Sequence, residues 1–182
     1  EGSGAMSAVL GMDAAVIENV LNGREGVSIA NYNCPGQIVI TGEAAAVAEA
    51  GTALKEAGAR RVLPLKVSGP FHSPMMRPAG EELAKVFARV SMNPLKIPYV
   101  ANINAEVITD CGRIEGLLVE QVSGSVRWQQ SVETMIREGV DTFVEIGPGK
   151  TLTGFLRKID KNVKAYHIGS WEEAVQVCEE LK

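Results

Sequence analysis

The sequence predicts an α/β protein in two parts: a small α+β unit, then a longer stretch of alternating strands and helices. Three observations carry that expectation. Residues 3–67 read β-α-β-β-α-β, with strand-like runs and helix-period apolar faces taking turns. From Pro74 onward, helical patterns alternate with short apolar runs, as in parallel strands joined by helical crossovers. At 182 residues, 46% hydrophobic and 22% charged, the chain is long and apolar enough to bury a core and polar enough to be a soluble globular protein.

The elements of the first part follow in order. Gly4–Leu10 alternates as a strand, and Asp13 is placed to cap a helix over Ala14–Leu21 that Gly23 closes. Val27–Ala30 is a second strand and Cys34-Pro35-Gly36 a turn. Gln37–Thr41, rich in β-branched residues, is a third strand. Glu43–Ala57 is a helix with Val47, Ala50 and Leu54 on one face, ended by Gly58. Arg61–Val67 supplies the last strand. This is the order of the ferredoxin-like split βαβ unit, and it divides the chain into 1–67 and 68–182.

In the second part a helix over Pro78–Val90 sets Leu83, Val86, Phe87 and Val90 on one face. Pro94 and Pro98 separate it from a strand over Tyr99–Ile103. A helix over Arg113–Val122 leads through Gly124 to another over Gln129–Glu138. Thr142–Ile146 is a short strand of buried type, running into Gly147-Pro148-Gly149-Lys150 and a helix over Thr151–Ile159. Lys164–Ile168 is a final strand, and the helix after it has Ser170 and Glu173 at capping-box spacing. A parallel sheet needs covered faces and more than two or three strands. This half is therefore expected to be unfinished by itself.

Composition removes several function classes. No apolar run approaches the ~18 residues of a membrane span, and no charged-then-apolar leader is present, so no membrane association is expected. The net charge of −4 argues against a nucleic-acid partner. Cys34, Cys111 and Cys178 form no CxxC pair, so neither a metal site nor a disulfide framework is indicated, and reduced thiols point to the cytoplasm. Gly149-Lys150-Thr151 imitates the end of a P-loop, but the required glycine five residues before Gly149 is Val144, which rejects nucleotide hydrolysis. A helix N-terminus after that turn could still attract an anion. His167, at the end of an apolar strand, reads as structural, and Cys34 has no partner histidine nearby.

The stretch with most chemical promise is Val67-Ser68-Gly69-Pro70-Phe71-His72-Ser73-Pro74-Met75-Met76. It sets one of two histidines between prolines that fix their own φ and push the preceding residues out of the α region. The imidazole thus sits on a stiffened strand-to-helix connection, where α/β proteins keep reactive groups. Further ordered segments accompany it: Gly4-Ala5-Met6-Ser7-Ala8-Val9-Leu10-Gly11, Asn31-Tyr32-Asn33-Cys34-Pro35-Gly36-Gln37, Gln121-Val122-Ser123-Gly124-Ser125-Val126-Arg127-Trp128 and Glu145-Ile146-Gly147-Pro148-Gly149-Lys150. Together they resemble the malonyl-CoA:acyl carrier protein transacylase family of acyltransferases across nearly the whole chain. Acyltransferase domains of polyketide synthases share several of these segments.

The resemblance implies a ferredoxin-like subdomain inserted in an α/β-hydrolase-like core, with 68–182 as the C-terminal part of that core. It implies a serine on a G-x-S-x-G elbow that attacks malonyl-CoA and a histidine, matching His72, that takes its proton. A main-chain carbonyl, matching Gln121, would orient the imidazole in place of a carboxylate, without adding a full negative charge. Phe71 matches the position that is phenylalanine in malonyl-selective members and serine in methylmalonyl-selective ones. Acyl carrier protein would accept the malonyl group, with no permanently bound cofactor. Asn31, Asn33 and Gln37 present amides for a pantetheine arm, or else cap their own turn. Arg61, with Lys55, Arg60 and Lys66, forms a basic cluster that could steer an acidic carrier or be an ordinary solvated face.

One departure is large. No serine of the sequence sits in G-x-S-x-G, so by the family's order the elbow, the malonyl-binding arginine and the oxyanion amides are expected before Glu1. The chain begins Glu1-Gly2-Ser3-Gly4 without a methionine, as a cloning scar or a piece of a longer polypeptide would. It is expected to need the N-terminal half of the same enzyme as a partner and to be inactive alone. A non-catalytic module that binds a carrier protein or cofactor, and an unrelated hydrolase with another nucleophile, are the alternatives.

Overall fold

Val9, Ile38 and Val62 stand side by side on three strands, and Ile17, Leu21, Val47, Ala50 and Leu54 close over that apolar face from two helices. The computed structural model describes residues 4–182; Ser3, the first residue of the expected unit, lies outside them. The strands are β1 (Gly4–Leu10), β2 (Val27–Cys34), β3 (Gln37–Glu43) and β4 (Arg61–Pro64), and the helices are α1 (Ala14–Leu21) and α2 (Ala44–Glu56). The sheet order is β2-β3-β1-β4, every pair antiparallel. The expected β-α-β-β-α-β succession is present.

Boundaries differ where pairing overrides local signals. β2 runs to Cys34 instead of stopping at Ala30, because β3 offers partners as far as Gln37. Two bulges, at Ala30 and Asn33, let the strand carry the polar residues Asn31 and Asn33. The turn shrinks to Pro35-Gly36, with Gly36 at φ 73, a conformation glycine adopts freely. β4 ends at Pro64, not Val67, although the amide of Leu65 still donates to Met6 at 2.9 Å. Asp13 stands at the N-cap of α1, but its side chain makes no capping hydrogen bond.

Beyond the sheet, a 3-10 turn (Pro74–Met76) leads into α3 (Arg77–Phe87), which packs on α4 (Ile114–Ser123). The expected strand Tyr99–Ile103 is corrected to β5 (Tyr99–Val100), a hairpin arm paired antiparallel with β6 (Val107–Ile108). The chain reverses at Asn102 to Ala105: the Ala105 amide donates to Ala101 at 2.8 Å, and Ala105 has φ 58. After α5 (Trp128–Arg137) come β7 (Thr142–Ile146), α6 (Thr151–Ile159), β8 (Lys164–Ile168) and α7 (Trp171–Glu180). β7 and β8 pair in parallel across the α6 crossover, as the alternation predicts. Ser170 accepts the Glu173 amide at 3.2 Å, while the Glu173 carboxylate reaches the amide of Gly169, one residue before the cap.

The two halves differ in burial. The core strands of the first are closed, whereas β7 and β8 are half-buried and Ile146 is 77% exposed. No helix among the described residues is long and apolar enough to cross a membrane.

Candidate active site

His72 lies on the connection between β4 and α3, with a backbone φ of 58. A side chain other than glycine in this left-handed region costs roughly 1–2 kcal/mol, so its surroundings must hold it there. They do so through Ser73, which is fully buried: its hydroxyl donates to the Pro70 carbonyl at 2.7 Å, and its own carbonyl accepts the Met76 amide at 2.9 Å. Pro70 is itself pinned against Gly4, where a Cβ would overlap the proline ring.

The ring points its Nδ1 at the main-chain carbonyl of Gln121, 3.1 Å away. A carbonyl only accepts, so Nδ1 carries the proton and the neutral ring leaves Nε2 free as a base. The carbonyl is available because α4 stops. In a longer helix it would take the amide of Ser125. Gly124 instead adopts an extended conformation (φ −102, ψ 158), and Ser125 and Val126 leave to pair with β2. The Ser125 hydroxyl donates to Ile29 at 2.6 Å, and the Val126 amide donates to Ala30 at 2.7 Å. The Gln121 side chain closes the helix end by donating to the Gly124 carbonyl at 2.9 Å. Partial negative charge gathers at a helix C-terminus, so it is this end of α4 that faces the imidazole.

Of the other expected residues, only Phe71 is a chain neighbour of this pair. Phe71, 39% exposed, adjoins His72 directly in the chain. Asn31 and Asn33 lie within β2, not at its turn, and among the described residues neither side chain makes a hydrogen bond that caps it. Gln37 opens β3 and accepts from the Lys158 ammonium at 3.4 Å, which ties it to α6. Arg61 sits on edge strand β4 opposite Leu10, exposed and without a carboxylate partner among the described residues. Burial pushes the Cys34 thiol up, with the Lys158 charge only partly opposing it, which fits an inert buried cysteine.

Sequence reasoning missed two arrangements. Glu145 caps α6 from eight residues upstream, accepting the Thr153 hydroxyl at 2.6 Å and the amides of Thr153 and Leu152 at 2.7 and 3.1 Å. Burial raises the affinity of this carboxyl for protons, but those hydrogen bonds and the nearby His167 outweigh it and hold Glu145 below the usual range. The helix N-terminus after Gly147-Pro148-Gly149 is thus already filled by the protein's own carboxylate. His167, expected to be structural, donates its Nε2 to the Gly147 carbonyl at 2.9 Å. Tyr32 donates to Glu18 at 2.8 Å under the Arg127 guanidinium, 5.6 Å from the ring centre. Burial and Glu18 push Tyr32 up to about 12. The missed carboxylate joins residues too far apart for any local capping rule, and the Tyr32 network needs β2 laid beside the 125–127 segment.

The end of a helix thus orients a histidine on a mixed α/β scaffold. The chain belongs to the acyl transferase domain family, whose model matches residues 1–177. It is 43% identical over 185 residues to the malonyl CoA-acyl carrier protein transacylase of Bacillus subtilis, covering the whole of this chain and 58% of that protein. The transacylase of the same name from Escherichia coli K12 is 44% identical over 162 residues, 87% of this chain and 52% of its own. Among solved structures, the malonyl CoA-acyl carrier protein transacylase of Clostridium perfringens superposes with a TM-score of 0.94 at 39% identity, over 100% of this chain and 58% of that one. A malonyl-transacylase in complex with a type II polyketide synthase acyl-carrier protein gives 0.92 at 37% identity, over 99% and 59%. The chain spans little more than half the length of these relatives.

Proposed function

We propose that this chain is the base-bearing part of an enzyme that moves a malonyl group from coenzyme A to the phosphopantetheine thiol of acyl carrier protein in fatty acid synthesis. The single observation that carries the reading is the His72 Nδ1 to Gln121 carbonyl bond, made by the two residues that the family resemblance assigns as base and orienter. The nucleophilic serine is supplied by polypeptide outside these 182 residues. Residues 1–67 serve as a ferredoxin-like subdomain and 68–182 as the C-terminal part of an α/β-hydrolase-like core. The setting is the cytoplasm.

The chemistry follows from the geometry. Nε2 accepts the serine proton as its oxygen attacks the malonyl thioester carbonyl. When the tetrahedral intermediate collapses, the C–S bond breaks and the imidazolium returns the proton to the departing coenzyme A thiolate. The malonyl-serine ester then meets the carrier thiol: Nε2 takes the thiol proton, sulfur attacks, and the proton passes to the leaving serine oxygen. Nδ1 keeps its proton on the Gln121 carbonyl throughout, so the ring does not rotate between half-reactions. Phe71 limits room for an α-methyl group beside the base, which favours malonyl over methylmalonyl. Asn31, Asn33 and Gln37 contribute amides toward the pantetheine arm, and Arg61 contributes charge toward the acidic carrier.

The related complex with a type II polyketide synthase carrier favours one second reading, in which the acceptor belongs to polyketide synthesis. Replacing His72 with alanine in the full-length enzyme tests the assignment. Transfer should fall by ~10²–10⁴-fold, the usual contribution of a general base. Near-normal transfer would sink it.

A further inference from the structure

We propose that the side-chain amide of Gln121 is a positioning group for the base: by holding the Gly124 carbonyl it ends α4 and leaves the Gln121 main-chain oxygen to His72. The inference rests on the reading of His72 as base, and deepens it.

Only the main-chain oxygen of Gln121 faces the imidazole, so that bond is indifferent to which side chain the residue carries. The side chain acts on the competitor instead. One more helical residue would bring the Ser125 amide onto the same oxygen. That amide and the Gly124 carbonyl belong to one peptide unit, and in a planar trans peptide N–H and C=O point in opposite directions. In a continuing helix the carbonyl points onward along the axis and the N–H points back at Gln121. With the carbonyl taken by the Gln121 Nε2 at 2.9 Å, the plane is reversed and the N–H is turned away. The two orientations exclude each other.

Gly124 brings little preference of its own. Its amide still closes the last helical bond, to Glu120 at 2.9 Å, while its φ of −102 and ψ of 158 are open to any residue. Glycine stands there for space, since a Cβ would overlap the Ile103 side chain. The bonds of Ser125 and Val126 to β2 hold the chain further on, beyond that peptide. The Gln121 side chain makes no other hydrogen bond among the described residues, and its Oε1 is buried without a partner. A buried amide oxygen left unpaired costs stability, so folding alone does not favour an amide here. What the amide does is donate to one carbonyl, and that carbonyl decides where the Ser125 N–H points.

The test is Gln121→Met and Gln121→Glu in the full-length enzyme. Methionine keeps the length, the backbone and the orienting carbonyl but cannot donate. In Gln121→Met, kcat for malonyl transfer should fall about three- to tenfold, the worth of one neutral hydrogen bond. KM for malonyl-CoA and the melting temperature should hold, and the downfield Nδ1 proton resonance of His72 should move upfield or broaden. In Gln121→Glu the ionised carboxylate faces a carbonyl and repels it, but the protonated acid donates as the amide does. Such a carboxyl, half-buried against an acceptor, binds its proton above the usual ~4.3. The ratio of its kcat to that of the wild type should therefore climb as pH falls from about 8 to about 5. The same ratio for Gln121→Met should stay flat. A wild-type kcat or an unmoved resonance in Gln121→Met overturns the proposal. So does a loss of kcat that merely follows lost stability, or a flat ratio in Gln121→Glu. If His72→Ala retains transfer, the base assignment itself fails. If His72→Ala is inactive while Gln121→Met is normal, only the positioning role fails.

Discussion

The amide of Tyr32 donates to the carbonyl of Val126 at 2.8 Å, and through this bond a segment of the second half becomes a short parallel addition to the edge of the small sheet. Three residues before Val126 stands Ser123, the end of α4, whose last turn holds Gln121. The lacing of the two halves and the orientation of His72 therefore share one short piece of backbone.

Hydrogen exchange on the 182-residue chain should show this gradient. Amides of β1 and β3, central in the sheet and backed by a closed core, should be the slowest. Tyr32 and Val126 should be intermediate, and β7 and β8, half-buried with Ile146 exposed, should exchange fastest among the strands. The chain alone should not transfer malonate, and adding the N-terminal part of the enzyme in trans should slow exchange in β7 and restore transfer. Uniform protection in a monomer would show that the second half is self-sufficient.

Phe71→Ser in the full-length enzyme should raise the kcat/KM for methylmalonyl-CoA relative to malonyl-CoA. One methyl group in an apolar site is worth ~1–3 kcal/mol, roughly a 10–200-fold change in the ratio. A ratio equal to that of the wild type would remove Phe71 from the selectivity argument.

Glu145→Ala should destabilise the protein by about 1 kcal/mol, the usual cost of a lost N-terminal cap. The sign of its pH dependence follows from the lowered carboxyl. The folded state binds this proton less tightly than the unfolded chain, so the stabilisation is complete above the ordinary glutamate value of ~4.3 and is lost as pH falls through the lower folded value. Denaturant midpoints of the two proteins should differ at pH 7 and converge in that acidic window. A difference that persists unchanged at low pH would show that the carboxylate charge is not the cause.

Arg61→Glu should raise KM for the carrier protein or coenzyme A and flatten its dependence on salt, because steering by exposed charge is screened. Kinetics at low and moderate ionic strength suffice. If both KM values match the wild type, Arg61 is solvated surface only.

Much of the scaffold was legible from local pattern. The succession of the first sheet, the parallel pair across α6 and the Ser170 cap on α7 each follow from periodicity or from residues within a few positions of one another. So did the stiff placement of His72 between two prolines. The hairpin of β5 and β6 was not legible, because its two-residue arms are too short to show a period and its turn rests on Ala105 with positive φ. The continuation of β2 through Asn31 and Asn33 was hidden because neither is a strand former, and only the partner strand and its bulges keep them in place.

By itself the sequence determined which residues could do chemistry: a histidine on a rigid loop, and a family pattern that pairs it with Gln121. Only the tertiary structure decided that the pair meets. Helix α4 must end before Gly124 to free the carbonyl, Ser125 and Val126 must find β2, and α3 must pack on α4. Each of these is a contact between segments tens of residues apart. Their free energy comes from packing and from satisfying backbone groups left open at a helix end, terms that no local stretch of sequence contains.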